Sequence, residues 1–182
     1  MAVEATPPPA IETDRLLLRG FEEGDAGSVG FFADPDVMRY IPGGPGDPAL
    51  LESRFRARLV KIAEQWTRHG FGMWAIVLKG SGSVIGQCGL GYIPDSDEVE
   101  VYYLLDKPYW TRGIATEATI AALAFGFERA GLERIVAIAM PENVASRRVM
   151  EKSGMRLEGA AHHYGMDFIK FALTRRQGAS GV

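Results

Sequence analysis

The chain has 182 residues, a formal net charge of -3, 47% hydrophobic and 24% charged residues. That supplies apolar material for one sizeable core, and it lacks the basic surplus of a nucleic-acid binder. No apolar run approaches a membrane span. The single cysteine, Cys88, permits no intramolecular disulfide, which fits a reducing, cytoplasmic setting.

Residues 1–10 contain Pro7-Pro8-Pro9 and no apolar run, so they read as a flexible tail rather than a signal peptide. Residues 177–182 read as a second tail, leaving one domain over 11–176. Leu16-Leu17-Leu18 predicts a first strand, and Asp25 to Phe32 a short helix. Pro and Gly punctuate Ile41 to Gly46 so densely that this segment must be a loop. Pro48 then stands near the start of a helix whose apolar face is Phe55, Leu59, Ile62 and Trp66, stopped by Gly70.

Met73–Leu78 and Val84–Ile93 flank a Gly/Ser-rich turn and predict a hairpin. Glu98–Leu105 is the next strand, with Val99, Val101, Tyr103 and Leu105 on one face. Ile114 to Ala130 predicts a helix with Ile120, Ala124 and Phe127 on one side. A short strand at Arg134–Ala139, a helix at Asn143–Ser153 and strands at Met155–Glu158 and Met166–Thr174 complete the chain. A strand–helix–strand crossover beside hairpins implies a mixed sheet in an α+β fold.

Two segments carry chemistry. Between Leu105 and Thr116 a strand ends, a loop brings Arg112 and Gly113, and a helix begins. Helix-start N–H groups are unpaired and lie at the positive end of the dipole, so they suit phosphate. Gly113 lets an anion approach the backbone, and Arg112 adds forked donors. The second segment, Pro141-Glu142-Asn143 followed by Ser146 to Met155, leaves the carboxyl end of the neighbouring parallel strand. Ligands of such units bind beyond those carboxyl ends, so both segments serve one crevice.

Three runs in this order resemble the GNAT acetyltransferases: Glu12 to Arg19, Tyr109 to Ala118, and Asn143 to Met155. The branch that includes ribosomal-protein-alanine N-acetyltransferases is the most similar. The resemblance implies a mixed, mostly antiparallel sheet flanked by about four helices and opened between its fourth and fifth strands, Glu98–Leu105 and Arg134–Ala139. It also implies acetyl-CoA as cosubstrate, with the diphosphate on the amides of Arg112, Gly113, Ile114, Ala115 and Thr116. Trp110 stands where the wider family has Gln or Arg. The pantetheine arm would pair with the backbone of Tyr103, Leu104 and Leu105, and Asn143 would bond it from the facing side. The wider family's acid, a tyrosine seven residues after the asparagine, is Met150 here, and a thioether has no proton to give. The branch has a serine three residues after the asparagine, which is Ser146. The resemblance therefore offers Ser146 as the acid, the alternative being that it only bonds the coenzyme or starts the helix.

An alkylammonium must lose a proton before it can attack a thioester. Glu100 alternates away from Val99 and Val101, two residues from the bulge the family carries, so it could face the acceptor cleft as base. His162 and His163 precede the last strand, where acceptor-lining residues of the family fall, and are further candidates. Trp66 and Phe55 are expected in the core, as are Trp74 and Phe71 ahead of a cleft-lining role; Cys88 is expected to be inert and His69 to end its helix. The expected partners are acetyl-CoA and a primary amine, a protein N-terminus or a small molecule. Neither nucleic acid, membrane nor metal is expected, and the chain is a monomer or homodimer. Two other functions compete. A non-catalytic acetyl-CoA sensor or scaffold of the same fold would fail to turn over any amine. A dinucleotide-binding domain is excluded because no Gly-x-Gly-x-x-Gly follows a strand.

Overall fold

Strand signals along the chain resolve into one eight-stranded sheet in the computed structural model, which describes residues 8–175. The strands are β1 (Ile11–Glu12), β2 (Leu16–Arg19), β3 (Met73–Leu78), β4 (Ser83–Tyr92), β5 (Val99–Leu105), β6 (Arg134–Ala139), β7 (Arg156–His163) and β8 (Met166–Thr174). Their order is β1-β2-β3-β4-β5-β6-β8-β7. All neighbours are antiparallel except β5 and β6. That parallel pair is joined by the helical crossover that parallel strands need.

Three α-helices flank the sheet: α1 (Leu51–His69), α2 (Ile114–Glu128) and α3 (Val144–Lys152). α1 buries Phe55, Ile62 and Trp66, the face its periodicity predicts. Gly70 closes it in the left-handed conformation, φ 70°, where its N–H bonds Trp66 O. The expected helix over Asp25–Phe32 is instead two 3₁₀ turns, Glu23–Ser28 and Gly30–Phe32. Gly24, Gly27 and Gly30 lie in this stretch, and glycine is a poor helix former. A paired Asp25 fixes it instead, receiving both Nη atoms of Arg19 at 2.8 Å.

α2 packs through small residues. Ala118 and Ala122 are fully buried, and a Cβ on Gly126 would come within 2.6 Å of Ile135 Cδ1. Ile120 and Ala124, expected on the packed side with Phe127, are exposed, and only Phe127 is buried. The buried stripe runs instead through Ala118, Ala122, Leu123 and Phe125. An alanine-rich helix has an ambiguous face, because alanine fits either side. Trp66, Trp74 and Phe125 pack edge-on at 4.8 to 5.8 Å between centroids, so the helices and sheet share one core. Trp74 and Phe71 are core residues as expected.

The last hairpin is longer than its sequence signal. β7 continues from Arg156 to His163, beyond the expected strand end at Glu158. A two-residue turn at Tyr164 (φ 53°) and Gly165 (φ 70°) reverses the chain, the left-handed pair that hairpin twist favours. Pro9 O accepts from the buried Trp74 Nε1 at 2.9 Å, so residues just before β1 are tied to the core. The expected tail over 177–182, and residues 1–7 of the other, lie outside the described residues. No described helix is long and apolar enough to cross a membrane.

Gly89 shows how closely β3 and β4 approach. A Cβ there would come within 2.3 Å of Gly72 O and 2.6 Å of Met73 Cα, both backbone atoms. Gly89→Ala therefore has to move a strand. It is expected to destabilise the fold by about 1–3 kcal/mol, read as a lowered midpoint in urea. An unchanged midpoint would contradict the register of this hairpin.

Candidate active site

The ladder between β5 and β6 has one register pair, Glu100 with Val136. Beyond it the two strands diverge, while β5 stays paired with β4 along its length and β6 with β8. The sheet thus opens between the two strands expected to part. The bulge expected near Glu100 is absent from the β4–β5 ladder, which keeps unbroken register from Tyr92–Val99 to Gly86–Leu105. Register shifts occur at Ile76/Val77 and Leu157/Gly159 instead. Here divergence alone opens the sheet, without an inserted residue.

Beyond Glu100 the edge of β5 towards β6 carries Tyr103, Leu104 and Leu105 with no β6 partner in register. Just past it, the loop to α2 holds Thr111 at φ 62° and Gly113 at φ 74°. Gly113 is the N-cap of α2, and no side chain caps this end, so its first amides have no protein acceptor from a cap. The nearest heavy atom to a Cβ at Gly113 would be Arg15 Nη2 at 3.6 Å.

Two side chains hold this loop. Trp110 Nε1 donates to Leu105 O at 2.9 Å. Arg15 Nη1 donates to Arg112 O at 2.9 Å, and its Nε to Glu117 Oε2 at 2.6 Å. Thr13 Oγ1 donates to Glu117 Oε1 at 2.6 Å. Glu117 thus anchors the β1–β2 turn to α2, and its carboxylate is paired with Arg15. Thr13 and Arg15 carry no local signal of this role, because their partner lies about a hundred residues away.

α3 begins on the other side of the opening. Asn143 Oδ1 accepts from Ser146 N at 3.1 Å and so caps the helix, leaving its amide N–H₂ as a donor. Tyr103 Oη lies 2.8 Å from Ser146 Oγ and 3.0 Å from Ser146 O, so its one phenolic proton can be donated to either oxygen. Burial holds the Tyr103 phenol above the usual tyrosine range, so it stays protonated. Met150 is buried in the core at the wider family's tyrosine position.

On the opposite face of β5 lies a cleft of about 380 Å³ lined by Arg58, Gln65, His69, Tyr92, Glu100 and Tyr102. Glu100 faces it as the alternation predicts. His69, expected only to end its helix, lines it too and packs against Phe71 and Tyr92. His162 points instead at Asp167, 2.7 Å away, and the residue of that hairpin that reaches Glu100 is Tyr164, Oη to Oε1 at 3.4 Å. Among the described residues no cluster of His, Cys, Asp and Glu could hold a metal.

The site thus combines a sheet opened between parallel strands, a helix start at each carboxyl end, and a carboxylate at the fork. Residues 15–156 match the family model for the acetyltransferase (GNAT) domain. The chain is 33% identical over 150 residues to the uncharacterized N-acetyltransferase YnaD of Bacillus subtilis, covering 82% of this chain and 84% of that one. It is 31% identical to an acetyltransferase (GNAT family) from Bacillus anthracis, with a TM-score of 0.77 over 92% of this chain and 99% of that chain. It also shares its fold with Mycobacterium smegmatis RimJ, solved in complex with CoA-disulfide, at 23% identity and a TM-score of 0.80, covering 94% and 90%. The chain belongs to the GNAT family and is an N-acetyltransferase that uses acetyl-CoA.

Burial pushes the Glu100 carboxyl up from its ordinary 4.5 to about 7, with the Tyr164 hydrogen bond acting the other way. The folded state therefore keeps this proton after the unfolded chain has lost it. Stability falls as pH rises from about 4.5 to about 7 and this contribution levels off above. Glu100→Gln is expected to remove that fall, gaining on the wild type between pH 5 and pH 8 in urea unfolding. A wild-type pH dependence in the variant would show that Glu100 is solvated like a surface carboxylate.

Proposed function

We propose that this N-acetyltransferase passes the acetyl group directly to a primary amine while both substrates are bound. The opening of the sheet at the Glu100–Val136 pair carries the reading. It exposes one edge of β5 between two helix starts and places Glu100 at the fork. The arm of the coenzyme fits along Tyr103 to Leu105, its diphosphate on the amides of Arg112, Gly113, Ile114, Ala115 and Thr116, and Asn143 and Ser146 on the facing side. Gly113 fits this group, because a left-handed residue without a Cβ leaves the amides open.

Bound acetyl-CoA supplies an activated acetyl carbon and a thiolate leaving group. Glu100 takes the ammonium proton, directly or through water, so that the nitrogen lone pair can attack the carbonyl carbon. With a carboxyl at about 7, Glu100 is matched to this task near neutral pH. As the carbon–sulfur bond breaks, Ser146 Oγ–H gives its proton to the sulfur. Tyr103 is a buried phenol at 2.8 Å and can replace that proton or hold the serine oxygen in place.

Saturating acetyl-CoA is expected to raise the melting temperature. At about a hundredfold over its dissociation constant the gain is roughly 2.7 kcal/mol. Gly113→Val should bind the coenzyme more weakly in calorimetry, with a native circular dichroism spectrum. If neither acetyl-CoA nor CoA moves the melting curve, the proposed cradle is wrong.

Ser146→Ala is expected to lower kcat roughly tenfold to a hundredfold, with a smaller change in acetyl-CoA affinity, because a proton donor acts on the forming thiolate. Glu100→Gln is expected to lose the rise of rate through pH 7. Full turnover by Ser146→Ala would make solvent the donor.

A further inference from the structure

Among the described residues Arg15, Arg19, Arg134 and Arg175 pair with carboxylates, and Arg58 does not. Arg58 lies on the inner side of α1, in the lining of the cleft that holds Glu100. Its guanidinium is nonetheless fixed. One face covers the Phe32 ring at 5.0 Å, and Nη2 donates to Gln87 Oε1 at 3.0 Å. Burial pulls its pKa below the ordinary arginine value, and no carboxylate is among the neighbours that offset this. A cation kept in a half-buried cleft without a counterion carries an unmet electrostatic demand.

Gln87 adds a second unmet demand. It is fully buried on β4, and its Nε2 has no partner among the described residues. The Arg58 donor orients the amide, because only Oε1 can accept from a guanidinium. Arg58 and Tyr102 line the cleft, with Gln87 buried behind the guanidinium that it holds. Glu100 lines the same cleft, two residues along β5 from Tyr102. Across from Glu100, β4 places Gly91 in the lining of the cleft.

We infer that Arg58, held by Gln87 and Phe32, is a carboxylate-binding arm of the acceptor cleft, so that the acceptor is a small amino acid-like molecule with a carboxylate as well as its reactive amine. The inference rests on the proposed acetyl transfer with Glu100 as base. A planar guanidinium fork matches a carboxylate, and one monoanion balances one cation. A cleft of about 380 Å³ lined by both Arg58 and Glu100 suits a small molecule.

The test is steady-state turnover with the full-length protein and acetyl-CoA, read as thiol release. The twenty L-amino acids are each compared with their carboxamides. The amide has the more readily deprotonated amine, so chemistry alone favours it. At least one free amino acid is expected to exceed its amide in kcat/KM by about tenfold to a hundredfold, the range for a hydrogen bond to a charged group. In Arg58→Gln that ratio should fall towards one, while Arg58→Lys should keep part of it. If Arg58→Gln does not fold, the wild-type acid-to-amide ratio decides. Amides equal to or better than acids, or turnover only of amines without a carboxylate, would overturn the role of Arg58 and leave the acetyl-transfer reading standing. Absence of turnover with every amine tried, despite acetyl-CoA binding, would overturn both.

Discussion

A parallel strand pair that stops after one register position governs this molecule. β5 is held on one side by β4, and β6 on one side by β8, so neither can drift across to close the gap. The result is a strand edge with unpaired amides and carbonyls inside a domain. Such groups are costly if buried dry, so the gap must remain open to water or be met by polar groups of a ligand. Because the strands are parallel, their carboxyl ends face the same way. Both following helices therefore start at the opening, with their positive ends towards it.

Alternation along β5 then divides the chemistry between two faces. Glu100 and Tyr102 turn to the cleft under α1, while Val101 and Tyr103 turn towards α2 and α3. In the proposed mechanism one face takes a proton from the incoming amine, and the other returns one to the departing sulfur. A single strand keeps donor and acceptor apart, so they cannot neutralise each other, yet holds both within reach of the gap. The same pleat that builds the core thus sets the direction of proton flow.

The frame of the fold was legible where local pattern is strong. The α1 stripe, the β3–β4 hairpin and the starts of α2 and α3 all carry their own period, glycine or proline. The facing of Glu100 followed from simple alternation. Elements with weak local signals were misread. The glycines between residues 24 and 30 hid the preference for 3₁₀ turns, and the mostly exposed β7 lacks an apolar alternation. Long-range partners left no pattern at all. Arg15 with Glu117, Tyr103 with Ser146 and Arg58 with Gln87 are each separated by 29 to 102 positions, and only folding brings them together.

Cys88 has a practical meaning beyond packing. It is fully buried in β4, and burial pushes its thiol up to about 12. Alkylating and disulfide-exchange reagents act on thiolates, which this residue does not present near neutral pH while folded. As the chain has one cysteine, the native protein presents no reactive thiol of its own. It needs no reductant for storage, it gives no background to a thiol-detecting dye, and labelling of Cys88 by such a dye is a direct count of unfolded molecules.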